Sequence, residues 1–415
     1  MSSPVGNKPS YPYLKVLFLT SSYPRSSQDT ASIFLRYLAE ELCERGHEIH
    51  VLVPADGKGK TTVKGNVTVH RFQYFPIPFQ KLSYGSGVLS NLKRSPLLWL
   101  QVPFFLMAMI YSLLRLVRRE RFDLIHAHWI LPQGLIGILT KYLCRLPLIT
   151  TAHGADAFAL QSKFSKTLKR FVVEKGDVWT ANTQATADAI VRSTNLSKPR
   201  IIPMGVDVQM FSSGKSATLR RELAENEFLV LFVGRLVEKK GCPYLIEAFS
   251  LLPQSIQAQT KLWIVGDGDQ RPALERSVRD GALEHKVRFW GTVSNEHLPN
   301  FYAAADLFVA PSIEAATGDT EGLGVVLLEA FAARACTIAT RVGGIGTVIK
   351  DGVTGVLVEP RDARSLAAVI EKLLMETGLR ARLAESAFVK VNECYSWNKI
   401  ALNFENIYRE VLRTQ

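Results

Sequence analysis

Short runs of β-branched and apolar residues, bounded by Gly, Pro or Asn, alternate with segments of helical period along the whole chain. That alternation leaves little room for any architecture but α/β, with parallel sheets assembled from βαβ units. It occurs in two series. The first predicts strands at Lys15–Thr20, Glu48–Pro54, Val67–Phe72, Asp123–His128, Leu148–Ala152 and Val178–Asn182, with a helix over Phe34–Arg45 closed by Gly46. The second predicts them at Leu229–Gly234, Lys261–Gly266, Val287–Gly291, Leu307–Pro311, Thr337–Thr340 and Gly355–Val358. Between the series lie Pro203-Met-Gly-Val-Asp207 and a polar stretch from Ser212 to Asn226, the expected hinge. A chain of 415 residues exceeds what one hydrophobic core usually organises. The division that follows is a first domain over 1–207, a linker over 208–226, a second domain over 227–395, and a C-terminal helix over 396–415 that can pack back on the first domain. Sheets of this kind bind ligands at the carboxyl ends of their strands, so the loops after strands hold the candidate chemistry.

Charge divides the halves. Residues 1–200 hold 26 Lys and Arg against 12 Asp and Glu, a net +14, while residues 201–415 hold 24 against 26, a net −2. The whole excess of +12 therefore belongs to the first half, which is expected to meet an anionic partner. That half also contains the longest apolar stretch, Leu97 to Leu114, interrupted by Gln101 and Pro103 and flanked by Lys93, Arg94, Arg115, Arg118, Arg119 and Arg121. A membrane span needs about 20 mostly apolar residues, and this stretch is too broken to be one. A crossover helix buried in the α/β domain is the expectation; peripheral contact with an anionic membrane is the alternative. Cys43, Cys144, Cys242, Cys336 and Cys394 are scattered and lack metal-ligand spacing, which fits a reducing cytoplasm. The polar opening residues leave no room for the apolar core of a cleavable leader.

Two segments of the second half carry chemistry. Val233-Gly-Arg235-Leu-Val-Glu-Lys239-Lys240-Gly241 follows a predicted strand and precedes a helix beginning near Pro243. There the cations Arg235 and Lys240 either meet an anion beside a helix N-terminus or are solvated loop charges. Gly318-Asp-Thr-Glu321-Gly322-Leu323-Gly324 then opens an apolar helix containing Glu329. Gly-Leu-Gly at a helix start exposes backbone N–H groups at the positive end of the macrodipole, a ready site for phosphate. On a straight helix Glu321 and Glu329 would stand roughly 12 Å apart. The carboxylates of a glycoside hydrolase lie about 5 Å or about 6.5–9.5 Å apart, so this spacing suits instead two ends of one long ligand, sugar hydroxyls at one and a ribose at the other.

At these residues the chain resembles family 4 of the retaining glycosyltransferases. The most specific part is Glu321, seven residues, Glu329; Val233-Gly-Arg-Leu with Lys240-Gly241, Val265-Gly-Asp-Gly268, Pro203-Met-Gly-Val-Asp207, Arg341-Val-Gly-Gly-Ile and Asp351-Gly-Val-Thr-Gly-Val-Leu-Val accompany it in order. The resemblance implies the GT-B fold, two facing Rossmann-like domains with a cleft between them. It further implies a nucleotide-diphosphate sugar as donor, with neither cofactor nor metal; the charge asymmetry and the Leu97–Leu114 segment add the expectation of a glycan or lipid-linked acceptor, in cell-surface polysaccharide or glycolipid synthesis at the cytoplasmic membrane face. By the same pattern Arg235 and Lys240 contact the diphosphate and Glu321 the donor sugar. Glu329 binds the ribose. The amides of Gly322, Leu323 and Gly324 reach the sugar or distal phosphate, and Gly266, Asp267, Gly268 and Val293 line the ribose and base. Asp267-Gly-Asp269 happens to read as a metal-binding Asp-x-Asp, but it stands in the family's glycine turn, and two cations already supply a metal's electrostatic role.

In the first half, Thr151-Ala-His153-Gly154-Ala-Asp156 follows an apolar strand, and Asp123-Leu-Ile-His126-Ala-His128-Trp129 precedes a helix containing Gly134. The family pattern gives His153 a contact with the transferred sugar, with His128 and Asp156 as acceptor contacts of lower rank. The loop Ser21–Ser32 lacks the family's paired glycines, which leaves Arg25 as a cation for an anionic acceptor. Two other readings compete: a transferase acting on a soluble small molecule, and a basic membrane-binding protein without enzymatic activity. The second leaves the phosphate-binding glycines of a nearly neutral half unexplained, as does binding to nucleic acid.

Overall fold

The computed structural model describes residues 13–26, 29, 32–84, 87–158, 160–224, 226–316 and 318–414. The polar opening residues and parts of the Ser21–Ser32 loop lie outside them. The chain forms two compact units, one of Met1–Thr180, Arg192–Pro199 and Ala401–Gln415, the other of Ala181–Val191 and Arg200–Ile400.

The first sheet contains β1 (Lys15–Leu19), β2 (Glu48–Pro54), β3 (Lys60–Lys64), β4 (Val67–Phe72), β5 (Leu124–His128), β6 (Leu148–Ala152), β7 (Val178–Ala181) and β8 (Arg200–Ile201). Its order is β3-β4-β2-β1-β5-β6-β7-β8. β1 pairs in parallel with β2 and β5, and β2 with β4, whereas β3 joins the edge antiparallel to β4. Val16, Leu17, Phe18 and Leu19 are all fully buried, as a central parallel strand covered on both faces requires. Helix α1 (Ile33–Glu44) ends as expected, with Gly46 at φ +96° donating to the Cys43 carbonyl.

The second sheet contains β9 (Phe228–Val233), β10 (Thr260–Val265), β11 (Val287–Gly291), β12 (Leu307–Ala310), β13 (Cys336–Thr340) and β14 (Val356–Val358), ordered β11-β10-β9-β12-β13-β14 and parallel throughout. Along β9, Leu229, Leu231 and Val233 enter one core, while Val230 and Phe232 enter the other. The strand order reverses at β9, which places the loops after β9 and β12 at the switch point where such sheets bind ligands. The segment expected to be a linker carries short helices at Val208–Ser212 and Ala217–Arg220 and belongs to the second unit, with Phe211 in its core.

The expectation of a buried crossover helix at Leu97–Leu114 is overturned. A 3-10 turn (Pro96–Gln101) runs into a long helix, with α2 (Val88–Arg94) before it and α3 (Val102–Arg119) forming its body. Only one stripe of α3 is covered: Phe105, Met109, Leu113 and Leu116 are buried. Leu97, Trp99, Leu100, Phe104, Met107 and Tyr111 are between 48% and 76% exposed. The stretch is apolar all round, but the sheet offers cover for one face alone.

Candidate functional site

Backbone hydrogen bonds tie together the loops at the carboxyl ends of β9, β10 and β12. Gly234 N–H donates to Val265 O, Leu236 N–H to Asp267 O, Gln270 N–H to Leu236 O, and Ile313 N–H to Lys239 O. The first two glycine loops touch so closely that a Cβ on Gly266, at φ +129°, would lie 1.9 Å from the Gly234 carbonyl oxygen. Gly344, in Arg341-Val-Gly-Gly-Ile, gives the third loop a floor: its N–H donates to Glu321 O at 3.0 Å, and a Cβ there would lie 1.7 Å from Gly322 O. No side chain fits in either place.

On this frame Lys240 Nζ pairs directly with Glu321 Oε2, each side chain only 14% exposed. Burial alone would raise the Glu321 pKa, but the charges of Lys240, Lys239 and Arg235 outweigh it and hold the carboxyl below its usual range. Lys239 pairs with Asp319 at 3.1 Å. Glu329, inside the helix Val325–Ala332, is half-buried, and Tyr302 Oη donates to its Oε2 at 2.7 Å. Burial raises its pKa, opposed by Tyr302 and by the charge of Lys240. One ammonium thus acts on both carboxylates. The straight-helix spacing of Glu321 and Glu329 does not hold, because Gly322 and Leu323 form a bend, Gly324 is left-handed at φ 73°, and the helix begins only at Val325. Among the described residues nothing accepts from the amides of Gly322, Leu323 and Gly324. The Leu323 side chain is buried in the core, so only its backbone is available to a ligand.

The Asp267 side chain is engaged within its own turn, accepting from Gly268 N–H at 2.7 Å and Arg271 Nη1 at 3.0 Å. Among the described residues no group of three or more His, Cys, Asp or Glu is placed to hold a metal ion. Val293, after β11, is half-buried and packs against the core beside Trp290. Thr320 is a residue that the sequence reading passed over. Its Oγ1 is buried without a hydrogen-bond partner among the described residues, directly before Glu321.

His153 lies in the first unit, at the carboxyl end of β6, and its ring packs against Phe34, His128 and Trp129 at 5.2, 5.7 and 4.8 Å between centroids. Burial pushes its pKa down to about 3, so the ring is neutral. Its Nε2, both ring nitrogens of His128, both amide atoms of Gln133 and Thr150 Oγ1 are buried without partners among the described residues. Buried polar atoms are nearly always paired, so this orphaned set marks a place for hydroxyls of a ligand or for water. His126 is satisfied by Tyr408 Oη at 2.8 Å and Thr151 Oγ1 at 2.7 Å. The Asp156 carboxylate accepts the amides of Ile130, Leu131 and His153. Arg25, its side chain 42% exposed, pairs with Asp29 and Asp56.

Two parallel-sheet α/β domains, one with a cationic, glycine-floored site at its switch point, are the architecture of the GT-B class. Comparison with known proteins agrees. Residues 31–210 match the family model Glycosyltransferase Family 4, and residues 217–389 match Glycosyl transferases group 1. D-inositol 3-phosphate glycosyltransferase of Salinispora arenicola is 32% identical over 320 residues, 70% of this chain and 69% of that protein. N-acetyl-alpha-D-glucosaminyl L-malate synthase of Bacillus anthracis is 28% identical over 391 residues, 91% of this chain and 92% of that protein. The structure of Anabaena HepE in complex with UDP-glucose matches with a TM-score of 0.70 at 21% identity, covering 96% of this chain and all of that one. The chain belongs to glycosyltransferase family 4 and has the GT-B fold.

Proposed function

We propose that the enzyme moves a hexose-type sugar from a nucleotide-diphosphate donor with retention of configuration and without a metal ion. The gathering of Arg235, Lys240 and Glu321 over the glycine loops carries this reading. As the bond from sugar to diphosphate breaks, negative charge grows on the leaving oxygen, and two fixed cations beside it lower the barrier as a divalent metal would. An ammonium has three donors, and the pairing of Lys240 with Glu321 uses one. Glu321 then accepts from sugar hydroxyls and Glu329 from the ribose, while the free amides of Gly322, Leu323 and Gly324 face the sugar or distal phosphate. Gly266, Asp267, Gly268 and Val293 line the ribose and base, with Asp267 contributing backbone. His153, a neutral ring, offers the transferred sugar one donor or one acceptor.

The acceptor in this reading is a glycan on a lipid carrier, met by a peripheral enzyme at the cytoplasmic face of the membrane. Its support is the net +14 of residues 1–200 and the exposed apolar face of α3. Arg115, Arg118 and Arg119 continue that face, and each cation near an anionic leaflet contributes about 1 kcal/mol. A second reading has support of its own: the two relatives' names carry inositol 3-phosphate and L-malate, and a small soluble acceptor would suit an enzyme related to them.

A panel of nucleotide sugars tests the donor, read by thermal shift and by release of nucleotide diphosphate in excess chelator. Stabilisation and turnover by one of them are expected; a requirement for added metal overturns the metal-free mechanism, and silence across the panel overturns the transferase. Proton NMR of the first-formed product reads the anomer, and inversion would refute the retaining assignment. Flotation with anionic vesicles at low salt favours the lipid-linked acceptor over the soluble one.

A further inference from the structure

A cavity of ≈ 470 Å³ lies in the first unit between the antiparallel edge pair β3–β4 and the second half of α3. Leu52, Phe72 and Leu116 give it apolar walls, and Thr61, Ser112 and Tyr111 bring hydroxyls. Among the described residues no carboxylate lines it. Its cations are Lys60 and Arg71 from the strands and Arg115 and Arg119 from the helix. Lys60 and Arg71 stand directly opposite each other in the β3–β4 register, and Arg115 and Arg119 are four residues apart on one helix face, arrangements in which like charges repel. Among the described residues Lys60, Arg115 and Arg119 make no ion pair, and Arg71 is held by two uncharged groups, Tyr84 Oη at 2.8 Å and the Pro24 carbonyl at 2.6 Å. His70, also in the wall, adds no charge: burial and the neighbouring His50 lower its pKa to about 4, and its ring nitrogens meet His50 and Thr61.

We propose that this cavity is a binding site for a phosphate monoester. The helix macrodipole accounts for Arg118 and Arg119 in the last turn of α3, but Arg115 stands a turn earlier, and Lys60 and Arg71 come from the sheet. Cations gathered at repelling distances without a carboxylate are relieved by an anion shared among them. A phosphate monoester suits them better than a carboxylate, because it carries nearly two charges and its three free oxygens accept from two guanidinium forks and the Ser112 hydroxyl at once. The walls at Leu52, Phe72 and Leu116 fit an ester with some apolar body. Two sources offer this head: a soluble ester, or an anionic lipid, for which Tyr111, 65% exposed, joins the cavity to the apolar face of α3. Glu120, next after Arg119, pairs with Lys15 at the amino end of β1, so the cavity lies away from the loops at the carboxyl ends. It shares no residue with the donor loops or with the surroundings of His153. A diffuse attraction to an anionic surface treats every cation at this end of α3 alike, whereas a site singles out Arg115 and Arg119 over Arg118 and Arg121, which do not line it.

Glycerol 3-phosphate tests the soluble source by calorimetry on the full chain, with glycerol as the uncharged control. Flotation with vesicles of phosphatidic acid in phosphatidylcholine, against phosphatidylcholine alone, tests the same head on a lipid. Arg115→Gln with Arg119→Gln is compared with Arg118→Gln with Arg121→Gln, which removes the same charge from exposed positions outside the cavity. The wild type is expected to bind in at least one arm, and the cavity variant to lose about tenfold or more in affinity beyond what the control variant loses, as removal of charge-assisted hydrogen bonds does. Such a loss in the calorimetric arm shows that a soluble ester suffices; a loss confined to vesicles assigns the lipid head. Equal losses in the two variants, or no binding by the wild type in either arm, overturn the proposal. So does binding that Lys240→Ala abolishes and the cavity variant keeps, since that phosphate sits at the donor loops. The nucleotide-sugar panel reports on those loops alone, so the two readings fail separately.

Discussion

The carboxyl ends of the two sheets solve the problem of buried polarity in opposite ways. In the second unit the site is charged and already paired, with Lys240 on Glu321, Lys239 on Asp319 and Tyr302 on Glu329. In the first unit the imidazoles at the corresponding place are neutral, and His128, Gln133 and His153 keep atoms without partners among the described residues. On the proposed function the contrast separates the two substrates: a diphosphate always carries the same charge and can be met by a permanent set of countercharges, whereas an acceptor is met by shape and by hydrogen-bonding capacity held in reserve.

The comparison breaks most readily at Lys240. If its charge is spent on the leaving group, Lys240→Ala lowers turnover on the donor by about 10²–10³-fold, the cost of losing one preorganised charge-stabilising donor, with donor affinity changed far less. Steady-state kinetics of nucleotide release checks this; near wild-type turnover would make the pair with Glu321 merely structural. Glu329→Gln should weaken nucleotide binding by about 1.5–3 kcal/mol, as loss of a hydrogen bond to a charged group does, with turnover at saturation nearly kept, as read by calorimetry with the nucleotide diphosphate.

Acid should separate the two regions. Burial holds the pKa of His126 and of His153 down to about 3 against 6.5 ordinarily, and burial with the neighbouring imidazoles pushes His128 down as well. Their contribution is therefore complete above pH 6.5 and lost as the pH falls from there toward 3, because the unfolded chain takes up protons first. Asp156, raised to about 6 by burial, works in the opposite direction between its ordinary value and 6 and offsets one group of the three. Glu321 is held below its ordinary 4.5, so its contribution stays until the pH falls beneath that value. Hydrogen exchange between pH 6.5 and 5 should then show the first unit loosening before the second; simultaneous loosening would remove the contrast. On α3, Phe105→Ala is expected to cost about 3–5 kcal/mol, and Phe104→Ser, one position away, under about 0.5 kcal/mol, by denaturant unfolding. The smallest effect is expected at Asp267, whose side chain holds only its own turn: Asp267→Asn should change turnover by about threefold or less.

Strands with continuous burial were legible because composition and burial coincide in them, as in Val16–Leu19. The antiparallel edge Lys60-Thr-Thr-Val-Lys64 was missed, being polar and one residue deep in apolar character, and β8 is only two residues long. The segment Leu97–Leu114 was misread for the converse reason, since apolar composition alone does not say whether anything covers it. At the candidate site, the glycines made visible where backbones approach a ligand, whereas Lys240 and Glu321, 81 residues apart, were joined only through the family resemblance. Tyr302 stands 27 residues before Glu329 in a different helix, so no spacing argument joins them. The lack of partners among the described residues at Thr320, His128 and Gln133 is a property of three dimensions with no counterpart in the residue string.

The helix Trp397–Arg413 belongs to the second unit as far as Ile400 and to the first from Ala401 onward. Within the first unit, Glu405 pairs with Arg45 at 2.6 Å, and Tyr408 meets His126 in the core. The first unit is therefore closed by chain made some two hundred positions after most of its sheet, which at about 5–20 residues per second is a delay on the order of ten to forty seconds. Through that interval the nascent sheet carries His126 and Arg45 without their mates. Ribosome-bound chains stalled short of Ala401 should be captured by chaperones and cut by protease in β1 and β5, and supplying residues 397–415 as a separate peptide should restore their protection.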